Sequence, residues 1–286
     1  MARYVSSRHP LSRFGRRVGC GLPAACLLLA GAVALSACGS RQADLPPLTE
    51  ADADGILFER GSQALEEGSW STAREYFVQI RDNYPQSPLR ARSRLGIVES
   101  YEGEGTDLAY VSALSELREF LRLYPPTHEL APEAQFKVGM VYFNQMRRPE
   151  RDQSETRSAV TEFETFIELY AEFADPQLLA EARERLREAR DRLSDSNYLV
   201  GRFYYRLRYY PGAIDRFREI LDEDPGYTRR DAVYFHLADA LAIVGRGPEA
   251  LPLFERLVTE FPATEFLVDA NLRIEELKVS MDLDGP

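Results

Sequence analysis

The residues of this chain whose chemistry stands out are a cysteine at the end of Leu35-Ser36-Ala37-Cys38 and very few histidines. A branched apolar residue, two small ones and a cysteine have the form of a lipobox. The small residues let a peptidase reach the backbone, and the sulfur of Cys38 can take a diacylglyceryl group. Cys20 and Cys26 lie upstream, inside the segment to be removed, so Cys38 is left as the lone thiol and no disulfide framework forms. In an oxidising compartment a single cysteine at a cleavage point is better explained by acylation than by packing or redox work. The histidines of the processed chain, His128 and His236, are far apart and lack ligand-spaced partners. His128 falls in a turn and is expected in solvent; His236 falls on a helix and is expected half-buried. There is no glycine-rich phosphate loop, and acidic pairs such as Glu66-Glu67 read as surface charge. The reading is therefore not an enzyme: no catalytic residue, no metal and no cofactor beyond the covalent lipid at Cys38.

The elements that would position Cys38 are legible. Arg3, Arg8, Arg13, Arg16 and Arg17, with no acidic residue among them, precede an apolar run from Gly21 to Ala37. That run is shorter than the ~20 residues a membrane span needs, and it reads as a signal peptide over residues 1–37. Arg16-Arg17 is followed by Val18-Gly19-Cys20, which does not continue a twin-arginine pattern. Residues 38–53, with Pro46-Pro47, charges and little apolar bulk, read as a lipidated N-terminus and flexible tether. Removing the signal takes the formal charge of the 286-residue chain from -11 to -16. So acidic a balance argues against nucleic acid and against lying flat on anionic lipid, leaving the lipid as the only membrane contact. In the bacterial lipoproteins this segment resembles, an Asp after the cysteine retains the protein in the inner membrane, so Gly39 favours the outer one.

Beyond the tether the chain repeats itself. Ala73/Phe77/Ile80, Ala113/Leu117/Phe120, Ala159/Phe163/Phe166, Ala213/Phe217/Ile220 and Ala250/Phe254/Leu257 each place large apolar residues four and seven after an alanine, on one helix face. Twelve residues after the alanine stands Pro85, Pro125, Pro225 or Pro262, with Ala171 in the third copy. Before it stands a small residue: Gly61, Gly96, Gly139, Gly201 or Ala238. This register resembles the tetratricopeptide repeat over about residues 54–280. It predicts an all-α fold of five tetratricopeptide-like helix pairs stacked as a right-handed solenoid with a C-terminal capping helix over Thr264–Ser280, containing Phe266, Leu267, Leu272, Ile274 and Leu277. Repeats 1–3 occupy residues 54–175. Repeats 4–5 and the cap occupy 176–286 and open on a long helix from Asp175-Pro176 to about Leu207. Extra residues near Gly103-Glu104-Gly105 and from Arg147 to Glu155 are expected to lengthen turns. Glu181 with Arg185 and Glu188 with Arg192 are expected to pair along the long helix, and Pro252 to bend its own.

An array of this kind presents a concave surface built from the first helix of each pair. Positions one turn from the packing glycine are Phe58 and Leu65, Ile97 and Tyr101, then Phe136, Met140 and Phe143, an apolar and aromatic groove suited to a peptide bearing aromatic side chains. The corresponding positions of the fourth repeat are Tyr198, Arg202, Tyr205 and Arg206, a surface of cation and phenol. Two chemistries suggest two partners.

The lipobox with its tether, Tyr84-Pro85 followed by Ser87-Pro88, the Pro126-Thr127-His128 turn, the long third-repeat loop with Arg151-Asp152, and Asp191-Arg192-Leu193 through Tyr198, Tyr205, Ala213 and Arg216 together resemble the BamD family of outer-membrane protein assembly factors, which are lipoproteins of five tetratricopeptide repeats. Asn197 stands where that family often has glutamate. The resemblance implies a lipid-attached scaffold on the periplasmic face of the outer membrane. Its implied partners are a barrel insertase subunit with periplasmic domains, unfolded outer-membrane proteins and other assembly lipoproteins, with Arg216 as a contact to the insertase. Another repeat lipoprotein, such as a secretin pilotin or a cell-envelope adaptor, is the alternative.

Overall fold

Each alanine-anchored stripe becomes the buried face of a helix. The computed structural model describes residues 53–283, so the expectations for the signal segment, Cys38 and most of the tether lie outside the described residues. Within them, eleven helices and no strand are found. The first pair is α1 (Ala53–Glu66) and α2 (Trp70–Asn83), the second α3 (Arg90–Glu104) and α4 (Asp107–Leu123), the third α5 (Ala131–Phe143) and α6 (Ser154–Tyr170). Then come α7 (Pro176–Arg206) with α8 (Tyr210–Glu223), α9 (Arg230–Ile243) with α10 (Gly247–Glu260), and α11 (Leu267–Leu283) as the cap. Each helix packs on the next in sequence, which is the solenoid the register predicts.

All fifteen stripe residues are buried. The small residues opposite them are there because rings lie on their backbones: a Cβ on Gly139 would stand 2.6 Å from Phe163, and one on Gly201 2.5 Å from Phe217. Phe77 is gripped from two sides, by Gly61 of α1 and Gly96 of α3, so one ring ties the first repeat to the second. Each such ring contributes roughly 1.5–3 kcal/mol by leaving water. Ala238 takes the same place in α9 and is fully buried.

Several expectations are corrected. The first insertion does not lengthen a turn: it is absorbed as extra helix in α3 and α4, whose connection is Gly105 and Thr106 alone. Gly105 closes α3 at φ +64, a left-handed position that favours glycine, and the Thr106 hydroxyl accepts from Ala109 N at 3.2 Å to start α4. The second insertion is a real loop between α5 and α6. Without a proline, α6 still ends at Tyr170, and Asp175 caps α7 by accepting from Gln177 N and Leu178 N at 2.9 and 3.2 Å. Arg185 pairs with both Glu181 and Glu188 at 3.5 Å, so Arg192 is not Glu188's partner; it donates instead to the Arg147 carbonyl at 2.8 Å and holds the long loop against α7. Leu272 is 59% exposed, because it lies two residues, about 200° of helix, from the buried Ile274. Pro252 sits on the exposed side of α10, where its ring removes the donor that would reach the Pro248 carbonyl. His128 is half-buried rather than in open solvent. Its Nδ1 accepts from Leu130 N at 3.1 Å, and its ring lies against Tyr124. No helix of the described residues is long and apolar enough to cross a membrane.

Candidate functional site

The first helices α1, α3 and α5 stand side by side and shape two recesses. Phe58 and Leu65 of α1, with Arg92 and Glu99 of α3, line one of about 300 Å³, floored by Phe77 and Gly96. Phe136 and Met140 of α5, with Glu102, Lys137 and Leu178, line another of about 430 Å³. A charge ladder joins them: Arg92 to Glu133 at 2.6 Å, and Lys137 to Glu102 and Glu99 at 3.0 and 3.6 Å. Burial works against the charge on Lys137, but Glu102 and Glu99 outweigh it and hold its pKa above the ordinary lysine value. The ladder braces α3 against α5 and leaves an apolar floor with acidic edges.

The residues expected to form this groove divide into two groups. Phe58, Leu65 and Met140 are half-buried and line the recesses. Ile97, 1% exposed, is core and not groove wall. Tyr101 faces sideways, with the Arg74 guanidinium 4.1 Å over its ring and Arg74 held in turn by Glu104 at 2.9 Å. Phe136 shows only an edge: it is 8% exposed and packs on Phe163 and Phe166 at 5.8 and 6.0 Å. Phe143 packs edge-on against Phe163 at 6.2 Å and lies 5.4 Å under Arg185. Truncating Phe58 or Met140 to Ala is therefore expected to weaken capture of an aromatic-bearing peptide while lowering stability by only about 1 kcal/mol. Phe136→Ala is expected to lower stability more than either. Peptide titration beside urea unfolding checks this, and equal stability losses in all three variants would make Phe58 and Met140 core residues too.

The fourth-repeat positions are less of a surface than expected. Tyr198 is 4% exposed, and its ring packs on Phe217 at 5.8 Å. Its hydroxyl accepts from Arg202 at 3.1 Å and lies 3.3 Å from His236 Nδ1. Tyr205 donates to Asp239, which also pairs with Arg273 at 2.5 Å; burial and then Asp239 push the Tyr205 phenol far above its ordinary pKa. This chain of Tyr205, Asp239 and Arg273 runs from α7 through α9 to α11 and fixes the cap. Sequence reading missed it, although Asp239 stands 34 residues after Tyr205 and Arg273 the same distance further on. Only Arg202, in part, and Arg206 reach outward.

Arg216 is on the surface of α8, its Nη1 2.6 Å from Glu219 on the same helix. On the other side of α7, Arg187 grips Asp224, which also accepts from Ser194 at 2.8 Å. Burial raises the Asp224 pKa, but Arg187 and Ser194 outweigh it and hold the carboxyl below its ordinary range. With Arg190 and Glu164 these line a recess of about 320 Å³ between α6, α7 and α8. Among the described residues no group of three or more His, Cys, Asp and Glu side chains is placed to hold a metal ion.

Residues 50–243 match the family model described as YfiO: Outer membrane lipoprotein. The chain is 26% identical over 219 residues to the outer membrane protein assembly factor BamD of Caulobacter vibrioides, covering 75% of this chain and 68% of that one. It is 25% identical over 187 residues to the protein of the same name from Vibrio cholerae, covering 62% of this chain and 72% of the relative. Among solved structures it is similar to the TPR2AB domain of yeast Sti1, at 14% identity and a TM-score of 0.44, covering 81% of this chain and 85% of that one.

Proposed function

The chain belongs to the YfiO family of outer membrane lipoproteins, and we propose that it is an outer-membrane protein assembly factor acting as a non-catalytic scaffold on the periplasmic face of that membrane. The observation that carries this reading is the family match, which runs from the tether to the end of α9 and so spans four whole repeats. The lipid on Cys38 would hold the chain at the membrane, since mature lipoproteins carry several acyl chains where one alone binds marginally. The recesses at Phe58 and Met140 would receive aromatic-bearing segments of unfolded outer-membrane proteins, their acidic edges setting direction. The C-terminal repeats would hold the barrel insertase subunit, and other assembly lipoproteins would share the remaining surface.

Arg216 carries the test. Its pairing with Glu219, three residues on, is between half-exposed side chains and adds at most a few tenths of a kcal/mol. Arg216→Glu should therefore leave folding almost unchanged. If its planar fork also meets a carboxylate of the insertase, the variant should lose that large barrel protein on purification from detergent-solubilised membranes, and an acidic-to-basic change in the partner should restore it. Unchanged co-purification would leave Arg216 a solvated residue. Failure of the parent chain to bring down any barrel protein would sink the assembly reading itself.

A further inference from the structure

The second half of α7 has a face that nothing among the described residues covers. Arg192, Leu199, Phe203 and Arg206 fall within about 60° of one another around the helix and span roughly 21 Å along it. Phe203 is 50% exposed and the adjoining Leu207 62%. The arginines at the two ends of this apolar strip behave unlike those of the first half of the same helix. Arg185, Arg187 and Arg190 each meet a carboxylate within 4 Å. Arg192 has only the Arg147 carbonyl, and neither Arg206 nor Arg148, on the loop that Arg192 holds against α7, engages any carboxylate of the described residues. In a chain of formal charge -11 there is no shortage of carboxylates to pair with.

An apolar strip with a cation that meets no carboxylate at each end is complementary to a segment with apolar residues at its centre and carboxylates on both sides. We propose that this face of α7 docks such an acidic-flanked, amphipathic segment of a partner protein. The apolar centre supplies the contact that excludes water, and Arg206 at one end, with Arg192 and Arg148 at the other, fixes direction through charge-assisted hydrogen bonds. A lipid surface fits less well. A helix lying in a membrane needs an apolar face along its whole length, whereas the outward side of the first half of α7 carries Glu181, Arg185 and Glu188, and the chain's net charge repels anionic headgroups. The face lies in the C-terminal repeats that the proposed function gives to the insertase, but the inference rests only on this strip and its charges and stands or falls without that partner.

The test places a photo-reactive benzoylphenylalanine at position 203 of the full-length chain in its own cell envelope and sequences whatever is captured. The expected capture is a protein segment with Asp or Glu on both sides of apolar residues. Yield should fall roughly tenfold in the double variant Arg148→Glu/Arg206→Glu. It should not change in Arg183→Glu, whose exposed side chain stands on the opposite side of α7. No capture, capture of lipid, capture of a segment without flanking carboxylates, or a yield indifferent to the double charge reversal would each overturn the proposal. All the substituted positions are exposed, so equal melting temperatures for the variants and the parent confirm that only the surface has changed.

Discussion

Phe217→Ala is expected to cost about 3–5 kcal/mol, a fall in Tm on the order of 10 °C. The ring is fully buried and meets three first-class neighbours at once: the bare backbone of Gly201 on α7, Tyr198 at 5.8 Å, and His236 of α9 at 6.0 Å. It is thus the contact at which the fourth repeat closes on itself and on the fifth. A solenoid has few contacts between distant repeats, so each ring of this kind bears on the coupling between neighbours. Thermal unfolding monitored by helicity should show the fourth and fifth repeats melting ahead of the others in the variant. A single transition shifted by less than 1 kcal/mol would mean that the site collapses around the missing ring or that other contacts hold the two repeats together.

The second helices are legible in the sequence because each meets its neighbours on one main face. A stripe such as Ala213, Phe217 and Ile220 repeats at helical spacing, and the structure buries all of it. The first helices are different. An interior one packs against its own second helix, the second helix before it and the first helices on either side. In α9, residues from Ala232 to Leu241 are buried almost without a break, and no single stripe stands out. That is why the register puts Ile97 and Tyr101 on the groove while the structure turns one into the core and the other under Arg74: three packing directions compete for the surface of α3. Phe58 and Leu65, on the first of the described helices, meet α3 only along one side and remain at the recess.

Long-range polar contacts were the least legible. Nothing local distinguishes Asp239 from the many solvated acids of the chain, and its partners Tyr205 and Arg273 lie on other helices. Likewise Gly103 reads as part of a flexible insertion, yet it is where Trp70 lies flat on α3, 2.6 Å from where a Cβ would be. In both cases the constraint comes from a residue about one repeat away. Spacing by the repeat length is the only trace it leaves in the sequence.

His236 should make the protein sensitive to mild acid. It is 6% exposed and enclosed edge-on by Tyr198, Tyr205, Phe235 and Phe266, with ring centroids 5.4–5.8 Å away. Its Nδ1 lies 2.7 Å from the Ala232 carbonyl, which can only accept, so Nδ1 carries the proton of the neutral ring. Burial is the main force pushing its pKa down to about 4; Arg202 adds to it, while the Ala232 carbonyl and Asp239 act the other way. In the unfolded chain the same imidazole titrates near 6.5. Between those values the unfolded state binds the extra proton and the folded state does not, so stability falls as pH falls. The contribution is fully present above about pH 6.5 and is lost progressively down to about pH 4. From pH 7 to pH 5 the loss should be about 2 kcal/mol, approaching about 3 kcal/mol at the lower limit. His236→Phe keeps a ring in the site but has no proton to take up, so its stability should be nearly level from pH 7 to pH 5. Urea unfolding of both forms across that range measures the difference, and parallel curves for the two would show that His236 accepts its proton in the folded state and that the buried site opens to let it do so.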